Sequence, residues 1–126
     1  MVGLVVVSHS ATAAEGVVEV AGEMAGETRI EPVGGDGQGG FGTVAADIEG
    51  AIEDASGGDG VVVLVDLGSA VMNAEVATES TDVDTAIADA PILEGAVNAA
   101  VAATSAKATV ESVLEQAEAA SDIEKL

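Results

Sequence analysis

Two continuous apolar runs stand out in the pattern of hydrophobic and polar positions. Val2–Ser8 (VGLVVVS) and Val61–Asp66 (VVVLVD) consist mostly of β-branched and aliphatic residues, without polar alternation. Such runs are typical of strands that are buried on both faces of a parallel sheet. Arg29–Val33 and Thr85–Ala88 are shorter segments of the same kind, the second one weaker because of its alanines. The pattern therefore predicts four strands.

Between these runs, apolar residues recur at helical spacing. After the first strand they extend from Ala14 to Ala25, and Ser10 is predicted to cap this helix. Thr43 is predicted to cap a helix that ends near Ala55. Three more helices are predicted over Ala70–Glu79, Leu93–Thr104 and Val110–Ala120.

This alternation of strands and helices predicts an α/β fold with right-handed crossovers. We expect a three-layer architecture in which helices cover both faces of a mainly parallel, four-stranded, doubly wound sheet of order 2-1-3-4. The chain has 126 residues and 12.2 kDa, which is enough for one compact domain with a core and too little for two ordinary ones. We therefore expect a single domain over residues 1–126.

The composition excludes several classes of function. Lys and Arg total 3 against 23 Asp and Glu, so the net charge is −20, and a nucleic-acid binder that works through basic patches is excluded. One Phe, without Tyr or Trp, offers no platform for stacking sugars or bases. The chain has no cysteine, which excludes disulfides, thiolate catalysis and thiolate metal sites. The residue types that remain as possible metal ligands do not form a pattern that predicts a metal site.

The acidic residues repeat at helical spacing, and no lysine is placed to form ion pairs with them. Glu15, Glu19 and Glu23 fall at i, i+4 positions, and the pairs Glu49/Glu53 and Glu111/Glu115 repeat the arrangement. At molar salt their repulsion is screened, so we interpret the charge as that of a halophile's cytosolic protein. The alternative is an acidic surface for a basic partner. Without a signal-like start or an apolar segment of membrane-spanning length, a soluble cytoplasmic protein is expected, without a membrane partner.

His9 and Asp66 follow the two strongest strands, where an open α/β sheet binds its ligands. In the expected strand order these two strands are neighbours, so the side chains can meet. An imidazole held by a carboxylate has a fixed tautomer and a more nucleophilic second nitrogen, which suits it to base catalysis or to accepting a group. The alternatives are a structural histidine that caps the first helix and an aspartate that caps the following turn.

Polar and glycine-rich turns surround this pair in the predicted fold. The segment Gly39–Thr43, with Gly42 and Thr43 at its end, leads into a helix N-terminus, where backbone N–H groups accept anions. Gly68 and Ser69 form a second tight turn beside Asp66. Ser8 and Ser10 flank His9 and are candidates to donate to a phosphoryl oxygen, although each is also an ordinary turn residue. None of these turns matches a P-loop or a dinucleotide fingerprint.

Three related site types can be excluded from the residues. A response-regulator receiver needs acidic residues where this chain has Ser8 and His9, and a zinc site lacks ligands. A Ser-His-Asp hydrolase of the α/β type lacks the G-x-S-x-G elbow.

Three stretches together resemble the mannose-class IIA proteins of the phosphotransferase system, in particular the branch that serves dihydroxyacetone kinases. They are VGLVVVSHS (Val2–Ser10), VVVLVDLGSAVMNAE (Val61–Glu75) and ADAPILEGAVNAA (Ala88–Ala100), and Gly42-Thr43 matches a further family pair. The resemblance covers nearly the whole chain. The third stretch distinguishes this branch from its sugar-transporting relatives.

The resemblance implies that His9 is phosphorylated by the carrier protein HPr, which obtains the group from phosphoenolpyruvate through enzyme I. The phosphoryl group then passes to ADP on the kinase subunit DhaL, and the ATP formed phosphorylates dihydroxyacetone on DhaK. Asp66 orients His9, while Ser10, Gly42, Thr43, Gly68 and Ser69 are candidates for phosphate contacts. The carrier would have no cofactor or metal of its own, since the nucleotide and Mg²⁺ belong to the partner.

The resemblance also implies a homodimer and a donor that acts in trans, because no HPr-like or enzyme-I-like domain is present in these residues. Two alternatives remain, namely the IIA component of a mannose-type sugar transporter and a stand-alone regulatory phospho-module. Phe41, Val71 and Met72 are larger apolar residues near the expected site, and we predict that they form part of a docking surface; core packing is the alternative.

Overall fold

The computed structural model describes residues 1–126 and contains one four-stranded parallel sheet. Its strands are β1 (Gly3–Ser8), β2 (Ile30–Gly34), β3 (Val61–Val65) and β4 (Thr85–Ile87). They are ordered β2-β1-β3-β4, which confirms the predicted topology. In the register, Ser8 lies opposite Gly34 and Val7 opposite Val65, so β1, β2 and β3 end at the same edge of the sheet. The loops that follow these three strands therefore meet there.

Five α-helices cover the sheet, and a short 3₁₀ turn, Ala120–Asp122, ends the regular structure. The helices are α1 (Ala11–Gly22), α2 (Ala45–Ala55), α3 (Gly68–Ser80), α4 (Ile92–Ala103) and α5 (Val110–Ala119).

Alternate residues of β1 point to opposite faces of the sheet, as the strand period requires. Leu4 and Val6 pack with α1, α4 and α5, whereas Val5 and Val7 pack with α2 and α3. The molecule thus has two hydrophobic cores separated by one sheet. This arrangement confirms the three-layer architecture and explains why the central strands read as uninterrupted apolar runs.

Gly34 allows the backbone to pack closely at the edge where β1 and β2 end. A Cβ atom at this position would clash with the carbonyl oxygen of Ser8 and would also lie 3.0 Å from that of Ser10. The absence of a side chain lets the loop after β1 turn directly into α1 beside the end of β2. Glycine at this position therefore keeps the segment Ser8–Ser10 close to the sheet.

The two predicted helix caps have different outcomes. The Ser10 hydroxyl accepts the Ala13 N–H at 3.2 Å and caps α1, as predicted. The prediction for Thr43 is wrong, because Val44 is the N-cap of α2 and no side chain caps that helix. The Thr43 hydroxyl instead accepts a hydrogen bond from a side chain of α3, described below.

The helices do not include one that is long and apolar enough to cross a membrane.

Most carboxylates have no cation within ion-pair distance. Ion pairs join Asp59 to the N-terminal amino group and Glu94 to Lys125, and Asp66 lies against the His9 ring. Glu15 and Glu19 are exposed on α1, one turn apart. Charges of like sign at this spacing destabilise a helix unless salt screens them.

We expect the midpoint of thermal unfolding to rise by about 5–10 °C between 0.1 M and 2 M KCl, because the Debye length falls from about 10 Å to about 3 Å or less. Circular dichroism would measure it. Glu19→Gln removes one of the repelling charges and should reduce the salt dependence, and an uncharged osmolyte controls for solvent exclusion. An equal midpoint in dilute buffer and in molar KCl would contradict this prediction.

Candidate active site

His9 and Asp66 meet where β1 and β3 end, as predicted from their places in the sequence. His9 directly follows β1, and Asp66 directly follows β3. The His9 Nδ1 atom lies 3.0 Å from the Asp66 Oδ1 atom. The two side chains are 26% and 21% exposed, so a partner can reach the ring while most of the contact between them is shielded. The neighbouring parallel strands thus bring together residues that are 57 positions apart in the chain.

Asp66 accepts hydrogen bonds on both carboxylate oxygens. Its Oδ2 atom accepts from the Ser8 hydroxyl at 2.9 Å and from the His9 backbone N–H at 3.0 Å. Burial raises the pKa of the Asp66 carboxyl, but the bonds from the His9 backbone, the His9 ring and the Ser8 hydroxyl outweigh it and hold that pKa below its ordinary value of 3.8. The carboxylate is therefore ionised and accepts without donating.

The ionised carboxylate fixes the tautomer of the His9 ring. Because Asp66 only accepts, the facing Nδ1 atom carries the hydrogen, and Nε2 of the neutral ring has a free lone pair. Nε2 lies 2.9 Å from the Ser69 hydroxyl, which is exposed and donates to it in this tautomer. The more accessible nitrogen is thus the nucleophilic one, and it lies beside the first turn of α3.

Ser8 has a role that the sequence analysis did not assign correctly. It is 2% exposed, and its hydroxyl donates to Asp66 while accepting the Ser10 N–H at 3.1 Å. Its single hydrogen is therefore engaged, so the prediction that Ser8 donates to a phosphoryl oxygen is wrong. Ser8 holds the aspartate in place. Ser10, by contrast, accepts from Ala13 with its hydroxyl and keeps its own hydrogen free.

The loop after β2 contacts the backbone of His9. The Gly42 N–H donates to the His9 carbonyl at 3.0 Å, so Gly42 contacts the histidine instead of presenting its N–H outward. Earlier in this loop, Asp36 accepts the N–H groups of Gln38 and Gly40 at 2.8 and 2.9 Å. These two backbone bonds, the Gln38 bond first, lower the pKa of the Asp36 carboxyl. Asp36 therefore stabilises the glycine-rich loop through hydrogen bonds within the loop.

Asn73 is a residue that the sequence analysis missed. Its side-chain amide donates to the carbonyl oxygen of Thr43 at 3.1 Å and to the Thr43 hydroxyl at 2.7 Å. The available signal was its spacing, since Asn73 lies four residues after Ser69 and both therefore share one face of α3. The structure thus brings together Ser69 and the Gly42–Thr43 pair around His9, with Gly68 as the first residue of α3.

Two clefts are lined by residues next to His9 in the chain or in contact with it. One, of about 550 Å³, lies between Ser10, Thr12 and the glycine-rich loop, with Phe41 at its side. The other, of about 400 Å³, lies beyond the ends of β3 and β4 and is lined by Asp66 and Val71 among others. His9 lines neither cleft, but its chain neighbour Ser10 lines the first and its partner Asp66 lines the second.

The predicted docking residues divide into two kinds. Phe41 and Met72 are 82% and 75% exposed, which is unusual for large apolar side chains. Val71 is partly buried and packs against the core formed with α2 and α3. The alternative of core packing therefore applies to Val71, while Phe41 and Met72 remain on the surface.

A protein-family model matches most of the chain. Residues 3–114 match the EIIA-man family, described as the PTS system fructose IIA component. The chain belongs to this family.

Individual relatives give a narrower comparison, because those similar over most of this chain are DhaM subunits. The chain is 41% identical over 106 residues to the phosphoryl donor subunit DhaM of PEP-dependent dihydroxyacetone kinase 2 from Listeria innocua, covering 80% of this chain and 85% of that protein. It is 37% identical to the phosphotransferase subunit DhaM of Lactococcus lactis, covering 92% and 93%. The DhaM of Providencia stuartii is 36% identical but much longer, and the match covers 95% of this chain and 27% of that protein.

A solved structure has the same fold. The crystal structure of EF1359, a protein of unknown function, superimposes with a TM-score of 0.80 at 28% identity, covering 93% of this chain and 92% of the other.

Proposed function

We propose that this chain is the phosphohistidine carrier of a phosphoenolpyruvate-dependent dihydroxyacetone kinase. It receives a phosphoryl group from HPr on His9 and passes it to ADP on the kinase subunit DhaL, for phosphorylation of dihydroxyacetone on DhaK. One observation carries the proposal: Nδ1 of His9 is held by Asp66 at 3.0 Å, while Nε2 faces the exposed Ser69. The likeness to DhaM subunits supports the choice of substrate and partners.

The transfer step uses the Nε2 lone pair as the nucleophile. Nε2 attacks the phosphorus atom of phosphorylated HPr, the new P–N bond forms, and the old P–N bond breaks with its electron pair returning to the donor imidazole. Asp66 stabilises the positive charge that the His9 ring acquires, because it already accepts the Nδ1 hydrogen. In delivery, an oxygen of the ADP β-phosphate attacks the phosphorus atom, and the P–N bond breaks with its electron pair returning to Nε2. Both transfers depend on positioning and on oriented donors.

Donors for the phosphoryl oxygens lie around Nε2. The Ser69 hydroxyl, which bonds to Nε2 at 2.9 Å in the free protein, rotates toward a phosphoryl oxygen once Nε2 is substituted. Gly68 and Ser69 form the first turn of α3, whose N–H groups have no partner within the helix and favour anions. The hydroxyls of Ser10 and Thr43 retain a free hydrogen and complete the proposed set.

The surrounding system is part of the same proposal. Enzyme I and phosphoenolpyruvate recharge HPr, and the nucleotide with its Mg²⁺ belongs to DhaL, so the carrier needs neither. The carrier works in the cytoplasm as a homodimer. The excess of acidic residues suits a cytosol of high salt content.

Reconstitution with enzyme I, HPr and ³²P-labelled phosphoenolpyruvate tests this function. We expect one acid-labile phosphate per chain, a ³¹P NMR signal of an Nε2-phosphorylated histidine, and transfer of the label to ATP after DhaL and ADP are added. A chain that takes no label from phosphorylated HPr would overturn the carrier role. A labelled chain that delivers nothing to DhaL and ADP would overturn the proposed acceptor only.

A IIA component of a sugar transporter is the second candidate, favoured by the family's description as a fructose IIA component. It uses the same chemistry on His9 but a different acceptor protein. Offering the labelled chain both a transporter IIB domain and DhaL with ADP distinguishes the two functions.

The exposed apolar residues beside His9 fit a docking site for DhaL. Phe41 lies next to Gly42, which contacts His9, and Met72 lies three residues after Ser69 on α3. The chain is strongly acidic, and surface ion pairs contribute little once salt screens them, so apolar contacts would provide most of the affinity. We therefore place the DhaL interface on the surface formed by Phe41 and Met72.

Met72→Asp is expected to weaken binding to DhaL about tenfold, because it places a charge in the desolvated centre of the interface. Isothermal titration would measure the affinity. Met24→Asp is the matched control, since Met24 is 55% exposed but follows the end of α1, at the opposite edge of the sheet. Equal affinity of Met72→Asp and the unaltered chain would rule out this interface.

A further inference from the structure

Hydrogen bonds and two short chain segments form a closed loop of contacts through His9, and Asn73 completes this loop. On the backbone side, the His9 carbonyl accepts the Gly42 N–H at 3.0 Å, and Thr43 follows Gly42 directly. Asn73 donates to both oxygens of Thr43, at 3.1 and 2.7 Å. On the ring side, Ser69 bonds to Nε2 at 2.9 Å and lies one helical turn before Asn73 on α3. The closed loop of contacts thus fixes the backbone and the imidazole of His9 against the same helix.

The two bonds from Asn73 also determine what the Thr43 hydroxyl can do. An amide nitrogen carries two hydrogens, so a single Nδ2 atom satisfies both Thr43 oxygens. A hydroxyl that accepts one of them keeps its own hydrogen available for donation. Because residues at i and i+4 share a helix face, Thr43 is held on the face of α3 that also carries Ser69. Asn73 therefore orients Thr43 as a second hydroxyl donor on the side of α3 that carries Ser69.

The glycine-rich loop makes this tether important. Six of the nine residues from 34 to 42 are glycine, and Gly39 and Gly42 have φ angles of +87° and +140°. Glycine gives a loop access to many backbone conformations, so a loop of this composition is costly to hold in a single conformation. Asp36 braces the middle of the loop through Gln38 and Gly40, but it does not reach α3. The bonds from Asn73 are the side-chain link between the end of the loop and the helix of Ser69.

We propose that Asn73 is a positioning residue for phosphoryl transfer, which fixes His9 through Gly42 and Thr43 and presents the Thr43 hydroxyl to the phosphoryl oxygens. The inference rests on the proposed function, because it takes Nε2 of His9 as the acceptor. Transfer requires the attacking nitrogen in line with the breaking P–N bond, and small displacements of a reacting group lower the rate steeply. Donors that are oriented before the reaction stabilise the charge that develops on the oxygens.

Asn73→Ala tests the proposal in single-turnover transfer from ³²P-labelled HPr. We expect the maximal transfer rate to fall about tenfold, as for one lost hydrogen bond, with KM for HPr unchanged because Asn73 is partly buried. Asn98→Ala is the matched control. Asn98 lies on α4 and donates its amide to the Gln116 carbonyl at 3.1 Å, so it loses the same kind of bond away from His9. It should transfer at the rate of the unaltered chain.

Thr43→Val gives a second test that leaves Asn73 and the backbone carbonyl in place. It should lower the maximal rate by a similar factor, Thr43→Ser should recover the loss, and the double variant with Asn73→Ala should be no slower than either single one. A maximal rate in Asn73→Ala equal to that of Asn98→Ala, a change confined to KM, or independent effects of the two substitutions would each overturn the inference. If the unaltered chain takes no label on His9, the proposed function itself is wrong.

Discussion

His9→Ala is expected to accept no phosphoryl group from phosphorylated HPr. The substitution removes the only histidine of the chain, and with it the only nitrogen nucleophile that the fold holds at the edge where the central strands end. In the proposed intermediate the phosphoryl group is bonded covalently to Nε2, and the variant lacks that atom. The measurement is acid-labile ³²P incorporation after incubation with enzyme I, HPr and labelled phosphoenolpyruvate.

The variant should fold, which makes its loss of labelling interpretable. Without the ring, Asp66 still accepts the Ser8 hydroxyl and the backbone N–H of residue 9, so the buried carboxylate retains two partners. Circular dichroism should therefore show a cooperative thermal transition like that of the unaltered chain. Thr109→Ala, which removes the side-chain cap of α5 and leaves the residues around His9 intact, is the control and should take up label normally. Label at the normal level in His9→Ala would mean that another residue is the acceptor.

The sheet and its functional edge could be predicted from the sequence because they depend on local patterns. Val2–Ser8 and Val61–Asp66 have no polar alternation, which requires burial on both faces and hence the two central positions of a parallel sheet. Central neighbouring strands end side by side, so the contact of His9 with Asp66 followed from strand order alone. Observed strand and helix ends differ from the predicted ones by only a few residues for the same reason.

Contacts between side chains of different elements could not be predicted. Thr43 has the residue type and the position of an N-cap, but the loop brings its hydroxyl to Asn73, and this bond replaces the cap. Ser8 looks like a turn residue in the sequence, yet the register of β1 against β3 directs its hydroxyl at Asp66. Both outcomes depend on the distance between elements after packing, which neither propensity nor periodicity contains. Val71 and Met72 are neighbours in α3, but Val71 packs partly against the core whereas Met72 is exposed, and this difference also depends on how the helix packs.

Asp66→Asn is expected to slow phosphoryl uptake by a factor on the order of 10³, although it changes the volume of the side chain very little. Three donors point at Asp66 in the structure, namely the Ser8 hydroxyl, the His9 N–H and the His9 Nδ1 hydrogen. An ionised carboxylate accepts all three, whereas an amide has one acceptor oxygen and an NH₂ group that donates. An NH₂ group facing the imidazole favours the tautomer with hydrogen on Nε2. The lone pair is then on Nδ1, and the exposed nitrogen cannot attack phosphorus.

The matched control is Asp59→Asn, which removes an ion pair with the N-terminal amino group at the opposite edge of the sheet. It should transfer phosphate normally. ¹⁵N NMR of the single imidazole measures the tautomer directly, and it should report hydrogen on Nδ1 in the unaltered chain and on Nε2 in Asp66→Asn. A variant that is slow but keeps the Nδ1–H tautomer would show that the charge of Asp66, and not its control of the tautomer, supports the transfer.

The difference in stability between the unaltered chain and Asp66→Asn should depend on pH. The folded protein holds the pKa of Asp66 below its ordinary value of 3.8, so the ionised carboxylate stabilises the fold above about pH 4, and this contribution is lost as the pH falls through the lower folded pKa. Asp66→Asn lacks it at every pH. The gap in unfolding free energy between the two proteins should therefore shrink as the pH falls below 4. A gap that persists into strong acid would assign the stability difference to packing and not to the charge of Asp66.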